Sequence, residues 1–202
     1  MPAVPKTSER QIVGAARKLI SRDGLDALSM QAVAAVVGVK APSLYKHVAD
    51  RKALVRAVVA DVAAEMQRAL EAAATTGAAA SDLRAMAHAY RAYAQKLPRL
   101  YALLFASEGT DAQLPTKAYA PFVQVLLERT SALTGPRDAL NGGRLLVAFS
   151  HGFVSMESAG AFHLSGDLDE AYSYGVDRAI GALTEQRTSA RAPKPCRAPH
   201  RR

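Results

Sequence analysis

The chain has 202 residues, half of them hydrophobic, so a sizeable core is available and a wholly disordered chain is excluded. Its net charge of +8 is uneven: residues 1–66 carry +4, residues 67–186 carry −2 and residues 187–202 carry +6, which points to a polyanion partner for the basic ends. A single cysteine, Cys196, excludes an internal disulfide framework and a thiolate metal cluster; with no apolar signal core and no membrane-length apolar run, a soluble cytoplasmic chain is expected.

Residues 1–7 read as a loose arm. Ser8 with Gln11 three residues on is a capping-box start, and Ile12, Ala15, Ala16, Leu19 and Ile20 recur at helical spacing. Gly24 is the expected stop, with Leu25 placed for the hydrophobic contact that follows, so helix one is predicted over 8–22. Ser29 caps helix two, which runs to Val37, and Gly38 permits a tight turn. Helix three is predicted over Lys40–Val48, with Pro42 tolerated in its first turn. Asp50 caps helix four, whose apolar positions run to about residue 73, a span of roughly 36 Å. Ser81 and Asp82 start helix five (82–96), stopped before Pro98. A short helix, Arg99–Ala106, and a loop, Ser107–Pro115, follow. Helix seven is predicted over 116–133, ended by Gly135-Pro136, and helix eight over 137–159. After a turn at His163–Gly166, Asp167 and Glu170 cap helix nine, which runs to about Gln186. No segment alternates like a strand, so the fold class is all-α, with about nine helices. The organisation expected is a three-helix unit over 1–56, a larger helical unit over 57–186, and a disordered basic tail over 187–202. Helix four starts near 50 and bridges the two units. The tail is read as solvated, adding at most non-specific attraction to a polyanion.

Helices two and three, joined at Gly38, have a helix-turn-helix arrangement. A 100° step per residue puts Ala41, Leu44, Tyr45 and Val48 on one side of helix three. Pro42, Ser43, Lys46 and His47 fall on the other, a small, polar and basic set suited to base edges and phosphates. Tyr45 lies at the border, where its ring can pack inward while its hydroxyl reaches a phosphate. Arg51, in the first turn of helix four, is expected to clamp a phosphate together with the unpaired N–H groups there.

The residues Gly38-Val39, Pro42-Ser43-Leu44-Tyr45-Lys46-His47-Val48 and Asp50-Arg51-Lys52-Ala53-Leu54 resemble the DNA-binding domain of the TetR family of bacterial repressors. The resemblance runs from about Ser8 to Val59. It implies that Ser29, Lys40, Ala41, Pro42, Ser43, Tyr45, Lys46, His47 and Arg51 lie at the DNA. Position 40, often Ser or Thr in the family, is Lys here, and position 51, usually Lys, is Arg. The family further implies a C-terminal domain that binds ligand and dimerises, its last two helices pairing with a second copy as a four-helix bundle. Small residues on helix eight (Gly142, Gly143, Ala148, Ser150, Gly152, Ser155, Ser158, Ala159) and on helix nine (Gly175, Ala179, Gly181, Ala182) suit such close approach. Ser150 to Glu157 resembles the His-Gly segment of the subgroup named for a Trp-His-Gly signature, although the chain has no Trp.

A ligand pocket is expected among helices four to eight, lined by Met86, Tyr90, Tyr93, Leu97, Tyr101, Phe105, Phe122, Leu126, Phe149, Phe153 and Met156. For each the competing reading is core packing. The tyrosines are the most informative, because a buried phenol needs a partner. His88 and His151 could be polar contacts to a ligand, but His88 is read rather as a surface residue and His151 as a helix-packing one. No metal set or cofactor is expected. Ala148-Phe149-Ser150-His151-Gly152 loosely matches a nucleophile elbow, which would make Ser150 a hydrolase nucleophile, but the motif requires a strand before it. No catalysis is expected. The functional expectation is a homodimeric repressor on a pseudo-palindromic double-stranded DNA operator, released by a small, largely apolar ligand. The alternative is an effector-independent DNA-binding regulator or activator.

Overall fold

A computed structural model describes residues 7–105 and 120–191, with side chains described from 123 to 185 in the second span. Among the described residues there are nine α-helices, one 3-10 turn and no strand. The helices are α1 (Glu9–Asp23), α2 (Met30–Val37), α3 (Ala41–Leu44), α4 (Arg51–Ala73), α5 (Ala79–Lys96), α6 (Pro98–Leu104), α7 (Ala120–Thr134), α8 (Ala139–Ser158) and α9 (Leu168–Arg191), and the 3-10 turn is Leu25–Ala27. The expected arm, the Ser107–Pro115 loop, the Phe122 side chain and Cys196 lie outside the described residues.

Local chemistry sets most of the starts. Ser8 and Gln11 form the reciprocal capping box of α1. The Ser29 hydroxyl accepts from Ala32 N at 3.1 Å to cap α2, and the Asp50 carboxylate accepts from Ala53 N at 2.6 Å to cap α4. Asp167 accepts from the amides of Asp169 and Glu170 at 2.7 and 3.3 Å, opening α9. Gly38, at φ 80° and ψ 30°, ends α2 in the left-handed conformation, and the amides of Gly38 and Val39 both donate to the Ala34 carbonyl.

Three elements depart from expectation. The third helix is not Lys40–Val48: regular α-helix covers only Ala41–Leu44, and a turn follows. Lys40 offers no side-chain cap, and the chain must already be extended at Asp50 to cap α4. The Val48 amide still donates to the Leu44 carbonyl at 3.0 Å, so the segment keeps a helical course through Val48. Helix five begins at Ala79 without a side-chain cap. Asp82 instead turns back to accept from the amide and hydroxyl of Thr76 at 2.9 and 2.7 Å, fastening the α4–α5 connection. Helix nine runs five residues beyond the expected end, into the segment read as tail.

One hydrophobic core runs continuously from Ile12 in α1 to Leu183 in α9. Helix α4 joins its two ends. Leu54, Val55, Val58 and Val59, all fully buried, belong to the first half, while Val62, Met66 and Leu70 continue into the second. Helix α4 packs on α1, α5 and α6, and α8 packs between α5, α7 and α9.

Candidate functional sites

The segment from Lys40 to His47 is held from beneath by Leu44 and Val48, which are buried in the core, and α3 packs on α2. Lys40, Pro42, Tyr45, Lys46 and His47 are exposed, and Ala41 and Ser43 are half-buried. Tyr45 is 53% exposed, so its ring lies outward, not packed inward at the border as its position on the helical wheel suggested. Ser29 is exposed beside them, with its hydroxyl already engaged in capping α2.

Arg51 departs most from expectation. Its guanidinium does not project as an open phosphate clamp: Nε donates to the Leu28 carbonyl at 2.8 Å and Nη2 to the Leu25 carbonyl at 3.0 Å. It thereby ties the start of α4 to the turn before α2. The Leu25 carbonyl also accepts from the Leu28 amide at 3.1 Å, and a planar guanidinium can reach it and the Leu28 carbonyl at once. No sequence pattern shows which way such a side chain turns.

The second site lies among α4, α5, α7 and α8. Leu70, Leu83, Met86, Ala87, Tyr90, Leu126, Leu146, Val147 and Ser150 enclose a cavity of about 30 Å³. Of the expected lining, Met86, Tyr90 and Leu126 are there. Tyr101 and Phe105 stand one layer away, joined through a polar chain. Tyr90 Oη lies 2.8 Å from Tyr101 Oη, which lies 2.7 Å from His151 Nδ1, and the Phe105 ring covers the imidazole at 4.0 Å between centroids. His151 is therefore a hydrogen-bonded member of this cluster, beyond its expected packing role. Burial pushes the Tyr90 phenol well above its usual range and Tyr101 up to about 12, and it pushes the His151 imidazole down. All three are neutral near pH 7.

The remaining expected lining residues are elsewhere. Tyr93 turns to α4, where its hydroxyl meets the Glu65 carboxylate at 3.3 Å. Phe149 and Phe153 pack around Tyr172 of α9, and Met156 is exposed on the outer side of α8. Leu97 is half-buried at the α5–α6 junction, and His88 is exposed with its edge against Tyr172.

The small residues of α8 and α9 divide into two sets. A Cβ on Gly142 would come 2.9 Å from Thr130 Cγ2 of α7, and one on Gly175 would collide with the Phe149 ring. Those glycines, with Gly143 against Leu126 and Leu127, serve packing within the chain. Gly152 and Gly181 have open space where a Cβ would stand. They share the outer side with exposed Ala148, Ser155, Ser158, Ala159 and Ala182, and with the exposed apolar groups Leu140, Leu145, Met156 and Tyr174.

Comparison with known proteins decides the family. Residues 12–58 match the model described as bacterial regulatory proteins, tetR family, and residues 83–179 match the tetracyclin repressor-like C-terminal domain. An HTH-type transcriptional regulator of Mycobacterium tuberculosis is 31% identical over 189 residues, covering 91% of this chain and 84% of that relative. The chain belongs to the TetR family. It is a DNA-binding transcriptional regulator, and family members are not enzymes. Two solved structures share the fold. A protein from Rhodococcus sp. RHA1 superposes with a TM-score of 0.78 at 23% identity, covering 91% of this chain and 99% of that one. A TetR variant from Acinetobacter baumannii in complex with minocycline superposes with a TM-score of 0.67 at 20% identity, covering 90% and 99%. Ser150, the residue of the supposed nucleophile elbow, is buried in mid-helix in α8, so helix stands before it where the motif needs a strand. No helix among the described residues is long and apolar enough to cross a membrane.

Three side-chain clusters in this TetR-family chain have no counterpart in the sequence reading. Arg17 of α1 pairs with Asp61 at 2.6 Å and with Glu65 on α4, and through Glu65 it reaches Tyr93 on α5. Arg99, at the start of α6, donates to the Ser21 carbonyl at 3.1 Å and to that of Arg22 at the end of α1. Arg91 of α5, buried against the rings of Phe153 and Tyr172, takes both oxygens of Glu157 at 2.9 and 2.6 Å and Asp169 at 2.7 Å. Arg91 carried a readable signal: it falls on the apolar side of its helix, between Ala87 and Ala94, where an Arg needs a buried acid.

Proposed function

We propose that this regulator acts as a homodimer on a pseudo-palindromic operator, contacting base edges and phosphates with Pro42, Ser43, Tyr45, Lys46 and His47. Lys40, Ala41 and Ser29 flank the phosphates, and Arg51 braces the reading segment through the Leu25 and Leu28 carbonyls. The observation that carries this reading is the two-sided segment itself. Leu44 and Val48 anchor it, and Lys40, Tyr45, Lys46 and His47 stand outward in a chain of this family. The outer sides of α8 and α9, with their open glycines and exposed apolar side chains, would pair between copies. The two reading segments would then lie about 34–36 Å apart or somewhat more, one helical turn of DNA.

In this reading the regulator is a repressor released by a small, largely apolar ligand at the Tyr90 cavity. Two connections support coupling to DNA: α4 spans both units, and α6 carries Tyr101 at the cavity cluster and Arg99 at the end of α1. A ligand that favours one arrangement of these helices shifts the population of DNA-competent dimers. Effector-independent regulation is the second reading. It is favoured by the cavity size, since about 30 Å³ is far below the roughly 300–1,000 Å³ of ligand pockets, so a ligand would have to open it.

The test is selection of DNA sites from a random duplex library by the purified protein, with sedimentation of the complex. The expected result is an inverted repeat bound by an even number of chains. Enrichment of no sequence, or tight binding by a single chain, contradicts the proposal.

A further inference from the structure

We propose that the effector is an uncharged, mostly apolar molecule that presents one hydroxyl or N–H donor to the oxygen of Tyr90. This rests on the reading of the Tyr90 cavity as the ligand site. The argument begins with the hydrogens of the polar chain. Tyr90, Tyr101 and His151 form a cluster with two short contacts, at 2.8 and 2.7 Å, and a longer one of 3.5 Å between Tyr90 Oη and His151 Nδ1, and the short contacts can run in either direction. If His151 donated from Nδ1, Tyr101 would donate to Tyr90. The Tyr90 proton would then be left without an acceptor among apolar side chains, a costly arrangement for a buried donor. If Tyr90 donates to Tyr101, and Tyr101 to an unprotonated Nδ1, every proton has a partner. Nε2–H then faces Ser155 Oγ, 3.5 Å away on an exposed side chain. The second direction is the satisfied one.

That direction leaves the Tyr90 oxygen with unused acceptor capacity, on a residue that lines the cavity. The other side-chain hydroxyl in the lining, Ser150, engages Tyr172. The rest of the lining is Leu, Met, Ala and Val. No charged side chain lines the cavity, and the nearby Arg91 is held by Glu157 and Asp169. An anionic ligand would lose its water and meet no cation. An ether or ester oxygen would meet an oxygen that has no proton to give. A hydroxyl or N–H supplies the missing hydrogen, and the apolar lining takes the remainder of the molecule.

The test uses four probes with one body: ethylbenzene, 4-ethylphenol, 4-ethylanisole and 4-ethylbenzoate, titrated calorimetrically into the full chain at pH 7.5. The phenol is expected to bind about tenfold tighter than the anisole and the ionised benzoate. In Tyr90→Phe the phenol-to-anisole ratio should fall to about one, with ethylbenzene affinity kept. Equal or tighter binding of anisole or benzoate to the unaltered chain overturns the donor assignment while leaving the cavity as the ligand site. So does a phenol preference that survives in Tyr90→Phe. Failure of all four probes to bind at millimolar concentration, with operator binding intact, overturns the cavity reading and the proposal with it.

Discussion

The two ends of the molecule hold their functional groups in opposite ways. In the N-terminal unit the side chains proposed to face DNA are exposed or half-buried on the surface, and the order beneath them is mostly backbone: caps at Ser8, Ser29 and Asp50, the left-handed turn at Gly38, and the Arg51 guanidinium on two carbonyls. In the C-terminal unit the polar groups point inward and hold one another, as Tyr90 with Tyr101 and His151, or Arg91 with Glu157. A frame of backbone bonds tolerates changes in the groups it displays. A web of mutual side-chain bonds does not, because removing one member strands another.

The largest effect expected from this contrast is at Arg91. Arg91→Ala strands Glu157 in a half-buried site and should cost about 3–5 kcal/mol in denaturant unfolding. Its partner adds a pH test. The Arg91 side chain holds the Glu157 carboxyl below its usual range. That stabilisation is present above the unfolded-state value and is lost as pH falls through the folded one. Glu157→Gln should therefore lose less stability than the unaltered chain when taken into the acid carboxylate range. Equal acid loss in the two proteins would contradict the pairing.

Arg51→Ala comes next, at about 1.5–3 kcal/mol, because a charged donor leaves two carbonyls. A variant with undiminished stability but weakened operator binding would restore Arg51 to the role of phosphate clamp. Gly175→Ala should cost about 1–3 kcal/mol through its collision with Phe149. Gly181→Ala meets nothing in its own chain and should stabilise the helix by about 0.5–1 kcal/mol. Sedimentation should show Gly181→Ala weakening self-association while Gly175→Ala leaves it unchanged; the reverse pattern breaks the proposed division between inner and outer glycines. Smallest is Lys46→Ala, with stability within about 0.5 kcal/mol of the unaltered chain. Its operator affinity should fall, and the slope of log K against log salt should shrink by about one. An unchanged slope would remove Lys46 from the phosphates.

The same contrast explains what could be read from the sequence. Caps and turns are local, so Ser8, Ser29, Gly38, Asp50 and Asp167 announced their helices within four residues. The buried side of the reading segment followed from periodicity at Leu44 and Val48. Nothing local separates 4 residues of regular α-helix from 9 of helical course, and the early stop of α3 came from the needs of α4. Tyr90, Tyr93 and Tyr101 stood out as buried phenols needing partners. The partnership with His151 spans 50 and 61 residues and exists only once α5, α6 and α8 are packed. Met156 was misassigned because an apolar residue looks the same from the sequence whether it faces a cavity or solvent.

Helix α6 is only seven residues long, and the two side chains that matter on it, Arg99 and Tyr101, are two positions apart. A segment that short has little room to bend between them, so a displacement felt by the phenol is handed to the end of α1 almost undiminished. On the proposed ligand-responsive reading, variation at this helix is pleiotropic: a substitution that tunes what the cavity accepts would also alter how tightly the unliganded protein holds DNA, and lineages that change inducer would change basal expression in the same step.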